Sequence, residues 1–180
     1  MNNTFKTDVF RYYGTKKETF KQRLLRPTVL KYICLYRKCN STKNKLLRKY
    51  YVYKLKRMQE KTAIQIPYKT RIGEGFYIGH LGSIVINPKA QLGKNINIAQ
   101  GVTIGQENRG KRVGVPTIGN NVWIGTNAVI VGNITIGDDV LIAPLSFVNF
   151  DVPSHSIVIG NPAKIIHRDN ATEDYINRTV

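Results

Sequence analysis

The sequence has few cysteines and no long apolar run. Only two of its 180 residues are cysteine, Cys34 and Cys39. With so few thiols and no histidine beside them, zinc is poorly supported, no metal site is predicted, and a reducing cytoplasm is the expected compartment. No uninterrupted apolar stretch approaches the roughly 20 residues that a membrane span requires. The opening residues MNNTFKTD have no apolar run behind their charges, so we expect no secretory signal.

Acidic residues are scarce, above all in the N-terminal third of the chain. The chain has 28 Lys and Arg against 11 Asp and Glu. Residues 1–61 contain 18 of those basic residues and only three acids, a net charge of +15, whereas the remainder carries only +2. We therefore expect three parts: a basic helical segment over residues 1–62, a second domain over 63–166, and a polar tail over 167–180.

The basic segment has three open interpretations. Aromatic residues alternate with Lys and Arg, as in RKYYVYK at residues 48–54. The first interpretation is a helical cap with a solvated basic face. The second, compatible with it, is a peripheral contact with anionic lipid at the inner membrane face. Nucleic acid is disfavoured because no binding module for it is recognisable.

Beyond residue 63, an aliphatic residue returns at every sixth position. The series is Ile66, Ile72, Ile78, Ile84, then after a slip of two Ile86, Leu92, Ile98, Ile104, and later Ile118, Ile124, Ile130, Ile136, Ile142 and Val148. Glycine often follows, as at Gly73 and Gly119. A period of six fits neither a helical face nor a single flat strand. It predicts short strands and turns stacked into a prism-shaped parallel β-helix, with the aliphatic ladders inside and the glycines at crowded corners.

These hexads resemble a known family. IGNNVWIGTNAV from Ile118, with VIGNPAK ending at Lys164, is similar to the left-handed β-helix acyltransferases built from hexapeptide repeats. The chain looks most like their serine acetyltransferase branch, which also contains glycan O-acetyltransferases. The resemblance implies a mainly β fold coiled left-handedly, an acetyl-CoA donor, and a homotrimer whose clefts lie between subunits.

His80 is the predicted general base. It follows the hexad glycine Gly79, a corner position at which a side chain points outward. It also matches the catalytic histidine that the resemblance implies, within GHLGSIV at residues 79–85. An alcohol is a weak nucleophile at neutral pH, and imidazole is suited to remove its proton as it attacks a thioester. The oxyanion then needs a rigid donor, which the motif position places at the turn of Gly105 and Gln106.

Several positions depart from the serine-specific pattern. Gly79 stands where that branch has an acid, Gln65 stands where it has an aspartate, and GVPTI at residues 114–118 replaces its second histidine segment. We predict Gln65 and Tyr77 as acceptor-binding residues. Because a sugar hydroxyl requires no anchors for an amino-acid zwitterion, these departures favour a sugar acceptor over serine.

The coenzyme is expected to meet two further regions. Loop 106–117 is too polar to form a turn of the solenoid and could be a tolerated surface insertion. The resemblance implies that it reaches over the cleft between subunits, where Arg109, Lys111 and Arg112 suit a phosphate of the coenzyme or of a nucleotide- or lipid-linked sugar. By resemblance, Lys164 also faces the coenzyme's phosphates. Ala143 and Asn149 are further predicted contacts, beside an altered IAPLS wall at residues 142–146.

The sequence thus predicts a cytoplasmic acetyl-CoA-dependent O-acetyltransferase. The preferred acceptor is a sugar hydroxyl of a surface-polysaccharide precursor, small or lipid-linked. The alternatives are serine O-acetylation and a non-catalytic solenoid scaffold.

Overall fold

Four helices precede the strands in the computed structural model, which describes residues 3–180. The helices are α1 (Asn3–Tyr13), α2 (Phe20–Leu24), α3 (Thr28–Ser41) and α4 (Lys45–Thr62). The first seven strands are β1 (Ile64–Gln65), β2 (Arg71–Ile72), β3 (Tyr77–Ile78), β4 (Ile84–Ile86), β5 (Gln91–Leu92), β6 (Asn97–Ile98) and β7 (Thr103–Gly105). The remaining strands are β8 (Thr117–Ile118), β9 (Val122–Ile124), β10 (Val129–Val131), β11 (Thr135–Ile136), β12 (Val140–Ile142), β13 (Phe147–Val148), β14 (Ser156–Gly160) and β15 (Ala163–His167).

The strands coil into a three-sided solenoid of about five turns. Sheet A has the order β1-β4-β7-β10-β13, sheet B has β11-β8-β5-β2, and sheet C has β15-β14-β12-β9-β6-β3. Successive coils therefore pair every third strand, and all pairs are parallel except β14 with β15. The predicted parallel β-helix with a helical N-terminal segment is confirmed.

The aliphatic ladders form the core as the period of six predicts. Ile86, Ile104, Ile130 and Val148 are paired in register on sheet A and are all but fully buried. The slip at Ile84 has a local cause. Ile78 pairs with Ile98 and Val85 pairs with Thr103, so the chain takes two more residues to turn from sheet C to sheet A in the first coil than in the second.

The hexad glycines permit close stacking of the coils. A β-carbon added at Gly73 would stand 2.5 Å from the carbonyl oxygen of Gly93, and Gly93 stands against Gly119 in the same way. Neither glycine has a positive φ angle. The left-handed conformation at the next corner is instead adopted by Asn95, Asn121 and Asp139, with φ of 52–56°, because short polar side chains tolerate this region.

The helical segment covers the open edge of the solenoid on all three sides. The Tyr32 hydroxyl donates to the Ile66 carbonyl and accepts from the Ile66 N–H, both at 3.1 Å, beside sheet A. Arg37 donates to the Ile72 carbonyl beside sheet B, and the Tyr12 hydroxyl pairs with both backbone groups of Ile78 beside sheet C. Because an uncovered sheet edge invites pairing with other chains, these contacts protect the first coil from strand addition.

Side-chain caps and contacts with the solenoid fix the helices. Thr7 and Asp8 lie inside α1 and accept hydrogen bonds from the N–H groups of Gly75 and Phe76. A capping box of Thr19 and Gln22 precedes α2. α4 begins at Lys45, behind an Asn44 cap.

The C-terminal tail folds back along the outer face of sheet C. Thr172 binds Asp139, Asn97 donates to the Tyr175 carbonyl, and Arg178 reaches the carbonyl of Tyr12 in α1. Trp123 meets Tyr175 edge-on at a ring distance of 4.9 Å. Within residues 3–180, no helix has the length and apolar character needed to cross a membrane.

Candidate active site

His80 lies on the widened corner between β3 and β4. Its side chain is exposed, and no hydrogen bond of its ring is found among the residues that the structure describes. The aliphatic neighbours Ile78 and Ile84 point into the core on either side, so the two extra residues of this corner carry the imidazole outward. An imidazole held this way is accessible to a hydroxyl from outside the prism.

Gln100, which the sequence analysis did not single out, packs directly against this corner. It occupies the matching corner of the next coil, and a β-carbon added at Gly82 would stand 2.9 Å from its Cβ. Its Oε1 is buried and has no hydrogen-bond partner in the described part of the chain. The signal that could have found it is its position, since Gln100 follows Ile98 by the same two residues that separate His80 from Ile78.

The two predicted acceptor residues lie on different faces. Gln65 is exposed on sheet A, paired with Val85 of β4. Tyr77 is on sheet C, where its ring meets that of Tyr12 at a centroid distance of 4.5 Å. It lines a cavity of ≈ 450 Å³ with Arg11, and burial lowers the pKa of Arg11 to about 10. A single chain therefore directs Gln65 and Tyr77 away from each other.

The predicted oxyanion turn lies at the far edge of sheet A from His80. Gly105 ends β7 and pairs with Val131, and Gln106 is exposed with its amide on Asn108. His80 precedes β4, whose last residues neighbour the end of β7, so the length of β4 separates the two groups. A three-residue strand spans about 10 Å. One chain alone does not bring this turn to His80.

The polar loop is a small hairpin on the same far edge. Glu107 and Gly114 exchange two backbone hydrogen bonds of 3.0 Å. Arg112 approaches Asp151 at 3.5 Å, and its carbonyl accepts from the Asn133 N–H. Arg109 and Lys111 are exposed, with no ion pair among residues 3–180. These cations face outward and are separated from the chain's own His80 by sheet A.

The other predicted coenzyme residues lie in the last two coils. Lys164 is exposed on the β14–β15 hairpin and Asn149 is exposed after β13. Ala143 is buried beside Leu141 and Ala171, and its N–H donates to the Val158 carbonyl at 2.8 Å. Ala143 thus has no free N–H for a ligand. From the first coil to the fourth the rise is on the order of 15 Å, which only an elongated ligand spans.

A metal centre finds no support in the described part of the chain. No group of three or more His, Cys, Asp or Glu side chains there is placed to hold a metal ion. His155, a second histidine of the solenoid, shares a hydrogen bond of 2.9 Å with Asp139 and lies away from the His80 corner.

Comparison with known proteins identifies the solenoid. A family model described as bacterial transferase hexapeptide (six repeats) matches residues 116–149. The solved serine acetyltransferase of Neisseria gonorrhoeae, in complex with serine, is 32% identical with a TM-score of 0.71, over 91% of this chain and 67% of that one. The coil is thus a left-handed β-helix of the hexapeptide type. The chain belongs to the hexapeptide-repeat transferase family.

Within that family the chain is similar to serine acetyltransferases. Serine acetyltransferase 2 of Arabidopsis thaliana is 43% identical over 112 residues, which is 61% of this chain and 34% of that protein. The Helicobacter pylori serine acetyltransferase is 37% identical over 108 residues, 60% of this chain and 63% of that protein. A solved serine acetyltransferase in complex with CoA is 26% identical, with a TM-score of 0.72 over 91% of this chain and 67% of that one. The chain spans about a third of the Arabidopsis relative's length.

Proposed function

We propose that this chain is an O-acetyltransferase that transfers the acetyl group of acetyl-CoA to a hydroxyl, as its relatives named serine acetyltransferase indicate. The observation that carries the proposal is His80, an exposed imidazole on the widened corner of the first coil that has no hydrogen-bond partner within residues 3–180. A base with its acceptor site open is ready to receive a proton from a bound alcohol.

The proposed reaction is a direct transfer. The neutral imidazole of His80 takes the hydroxyl proton while the hydroxyl oxygen forms a bond to the thioester carbon. The tetrahedral intermediate then collapses, the carbon–sulfur bond breaks, and the departing thiolate takes the proton from the imidazolium. Proton and acetyl group are then both accounted for, and His80 returns to its neutral form.

The proposed active unit is a homotrimer. In one chain, sheet A separates His80 from the Gly105–Gln106 turn and from the cations Arg109 and Lys111. A neighbouring subunit that presents its own hairpin to His80 would join these groups into one cleft. A native mass three times that of the chain, measured by light scattering, supports this arrangement. A catalytically active monomer would contradict it.

L-Serine is the first acceptor that we propose, because the similar relatives from Arabidopsis thaliana and Helicobacter pylori are named for it. The glycan acceptor favoured by the sequence has no support among these relatives. It stays as a second candidate because of one observation. A serine site is expected to have a carboxylate that pairs with the α-ammonium group of serine. Gln65 and Gly79 provide none, and a sugar hydroxyl needs none.

Thiol release from acetyl-CoA tests both acceptors. Separate reactions contain L-serine, extracted glycan precursors, or no acceptor, and each is repeated with His80→Ala and with His167→Ala. His167 is an exposed histidine on β15, 3.6 Å from Asp169, and serves as the matched control. We expect acceptor-dependent release that falls about 10²–10⁴-fold in His80→Ala only.

The outcomes separate the candidates. Release with serine alone selects serine, and release with glycan alone selects the second candidate. If His80→Ala retains full activity, the proposed mechanism is wrong. If the chain binds CoA with no release in any reaction, the scaffold alternative replaces the enzyme.

A further inference from the structure

The outer face of α4 is apolar where a solvent-facing helix is expected to be polar. Leu46, Tyr50 and Tyr53 recur at helical spacing and are 77%, 52% and 63% exposed. The opposite face already packs on the core through Val52 and Leu55. The outward stripe therefore contributes nothing to the described fold, and such contiguous exposed apolar surface usually marks an interaction site.

The helix as a whole is strongly cationic. α4 contains seven Lys or Arg and one acid, Glu60, which pairs with Arg57 at 2.9 Å. Lys54 extends along the stripe, with its Nζ 5.2 Å from the ring of Tyr50. Apolar and aromatic side chains interleaved with cations are typical of helices that lie in the headgroup region of a bilayer.

A groove beside α4 continues this pattern. Its first part, ≈ 380 Å³, has a mainly apolar wall that includes Leu55, Pro67 and Pro88. Its second part, ≈ 320 Å³, is lined by Lys45, Arg48, Lys49, Val52 and Tyr68. Val52 and Tyr68 line both parts, and no acidic residue lines either. The groove thus offers an apolar wall next to three cations, the complement of an acyl chain next to a phosphate.

We propose that the outer face of α4 and its groove dock on the surface of an anionic lipid bilayer. Charge complementarity selects this occupant. A second copy of the chain would set the same cations against each other. The rings of Tyr50 and Tyr53 would suit base stacking, but Leu46 and the apolar groove wall have no complement on nucleic acid, whereas acyl chains cover both. The proposal stands apart from the proposed function, because it concerns where the protein binds and not which acceptor it uses.

Vesicle flotation of the full chain tests the proposal. The vesicles are phosphatidylcholine alone or phosphatidylcholine with about one third phosphatidylglycerol, at moderate salt. Two variants remove the two features: Lys45→Glu with Lys49→Glu, and Leu46→Ser with Tyr53→Ser. The matched controls are Arg71→Glu with Arg168→Glu, which change the net charge equally on sheet B and after β15, and Leu145→Ser with Ile159→Ser, which remove exposed apolar residues elsewhere. Circular dichroism verifies that every variant is folded.

We expect binding to anionic vesicles that falls at least about tenfold in each α4 variant. Each cation near such a surface strengthens binding several-fold, and the buried apolar area of the helix adds to the affinity. The controls should bind like the unmodified chain. Equal binding to both vesicle types, or equal loss in variants and controls, overturns the proposal. The proposal is also overturned if the α4 variants bind vesicles like the unmodified chain. A changed oligomeric state in those variants would then assign the face to a second copy of the chain, and a loss of RNA binding alone would assign it to nucleic acid.

Discussion

Asp139 holds the C-terminal tail through Thr172. One carboxylate oxygen accepts from the Thr172 N–H at 3.0 Å and from its hydroxyl at 2.7 Å. The other accepts from the Ala171 N–H at 3.0 Å and contacts the His155 ring at 2.9 Å. One side chain on the corner of the fourth coil therefore joins that coil, the next one and the tail.

Asp139→Asn should release the tail locally. An amide has one acceptor oxygen, so at least one of these donors loses its partner, at a cost of about 1–3 kcal/mol. Hydrogen exchange should accelerate at the Ala171 and Thr172 amides and stay unchanged at Ile104 in the core. Asp169→Asn, at a carboxylate that is 85% exposed, is the control and should change neither. Unchanged protection at Thr172 in Asp139→Asn would contradict the assigned role.

The attachment of the tail should weaken in acid. Burial by itself raises the pKa of Asp139, but the hydrogen bonds from Thr172, His155 and Ala171 outweigh it and lower the pKa below the ordinary value. A carboxyl whose pKa is lower in the folded state adds stability above its unfolded pKa, and this stability is lost as the pH falls through the folded value. The protection factor of the Ala171 amide, which corrects for the pH dependence of intrinsic exchange, should therefore fall below about pH 4. Asp139→Asn should remove this pH dependence, and its persistence there would assign it to other carboxyls.

The buried pair of Asp8 and Arg37 should control the stability of the helical cap. Arg37 donates to both Asp8 oxygens, at 2.8 and 3.0 Å, and to the carbonyls of Ile72 and Gly73. Asp8→Asn leaves this buried guanidinium without a counter-ion, which costs about 3–5 kcal/mol. Urea denaturation measures the loss. Glu60→Gln, which breaks an exposed pair, is the control and should cost about 0–1 kcal/mol. Equal losses in the two variants would contradict this role for Asp8.

The parts of this fold that could be predicted are those with a local pattern. The ladder from Ile86 to Val148 repeats in every coil, so the period of six by itself predicts which residues lie in the core. The contacts of the cap have no such period: Arg37 meets Ile72 and Arg11 meets Asn97 across long stretches of chain. The outward position of His80 could be predicted from the glycine before it. Its neighbour Gln100 follows Ile98 as His80 follows Ile78, and this spacing is the one signal for it, but the two-residue slip at Ile84 concealed that the two corners stack.

The close packing of Gly82 on Gln100 should be required for acetyl transfer. Gly82 has a φ of +148°, and a β-carbon there would stand 2.9 Å from the Cβ of Gln100. Gly82→Ala must therefore displace the corner that carries His80, and we expect the transfer rate to fall at least about tenfold because catalysis depends on placement within about an ångström.

Gly14→Ala is the control: its φ is +71°, but the nearest neighbour of the added β-carbon would be Arg178 at 3.5 Å, an ordinary contact. It should lose stability of about 1–3 kcal/mol from backbone strain alone, with an unchanged rate. In a Gly82→Ala chain, Gln100→Gly removes the clash but not the strain, so it should restore part of the rate and little of the stability. If Gln100→Gly restores no activity, the corner does not act through this contact.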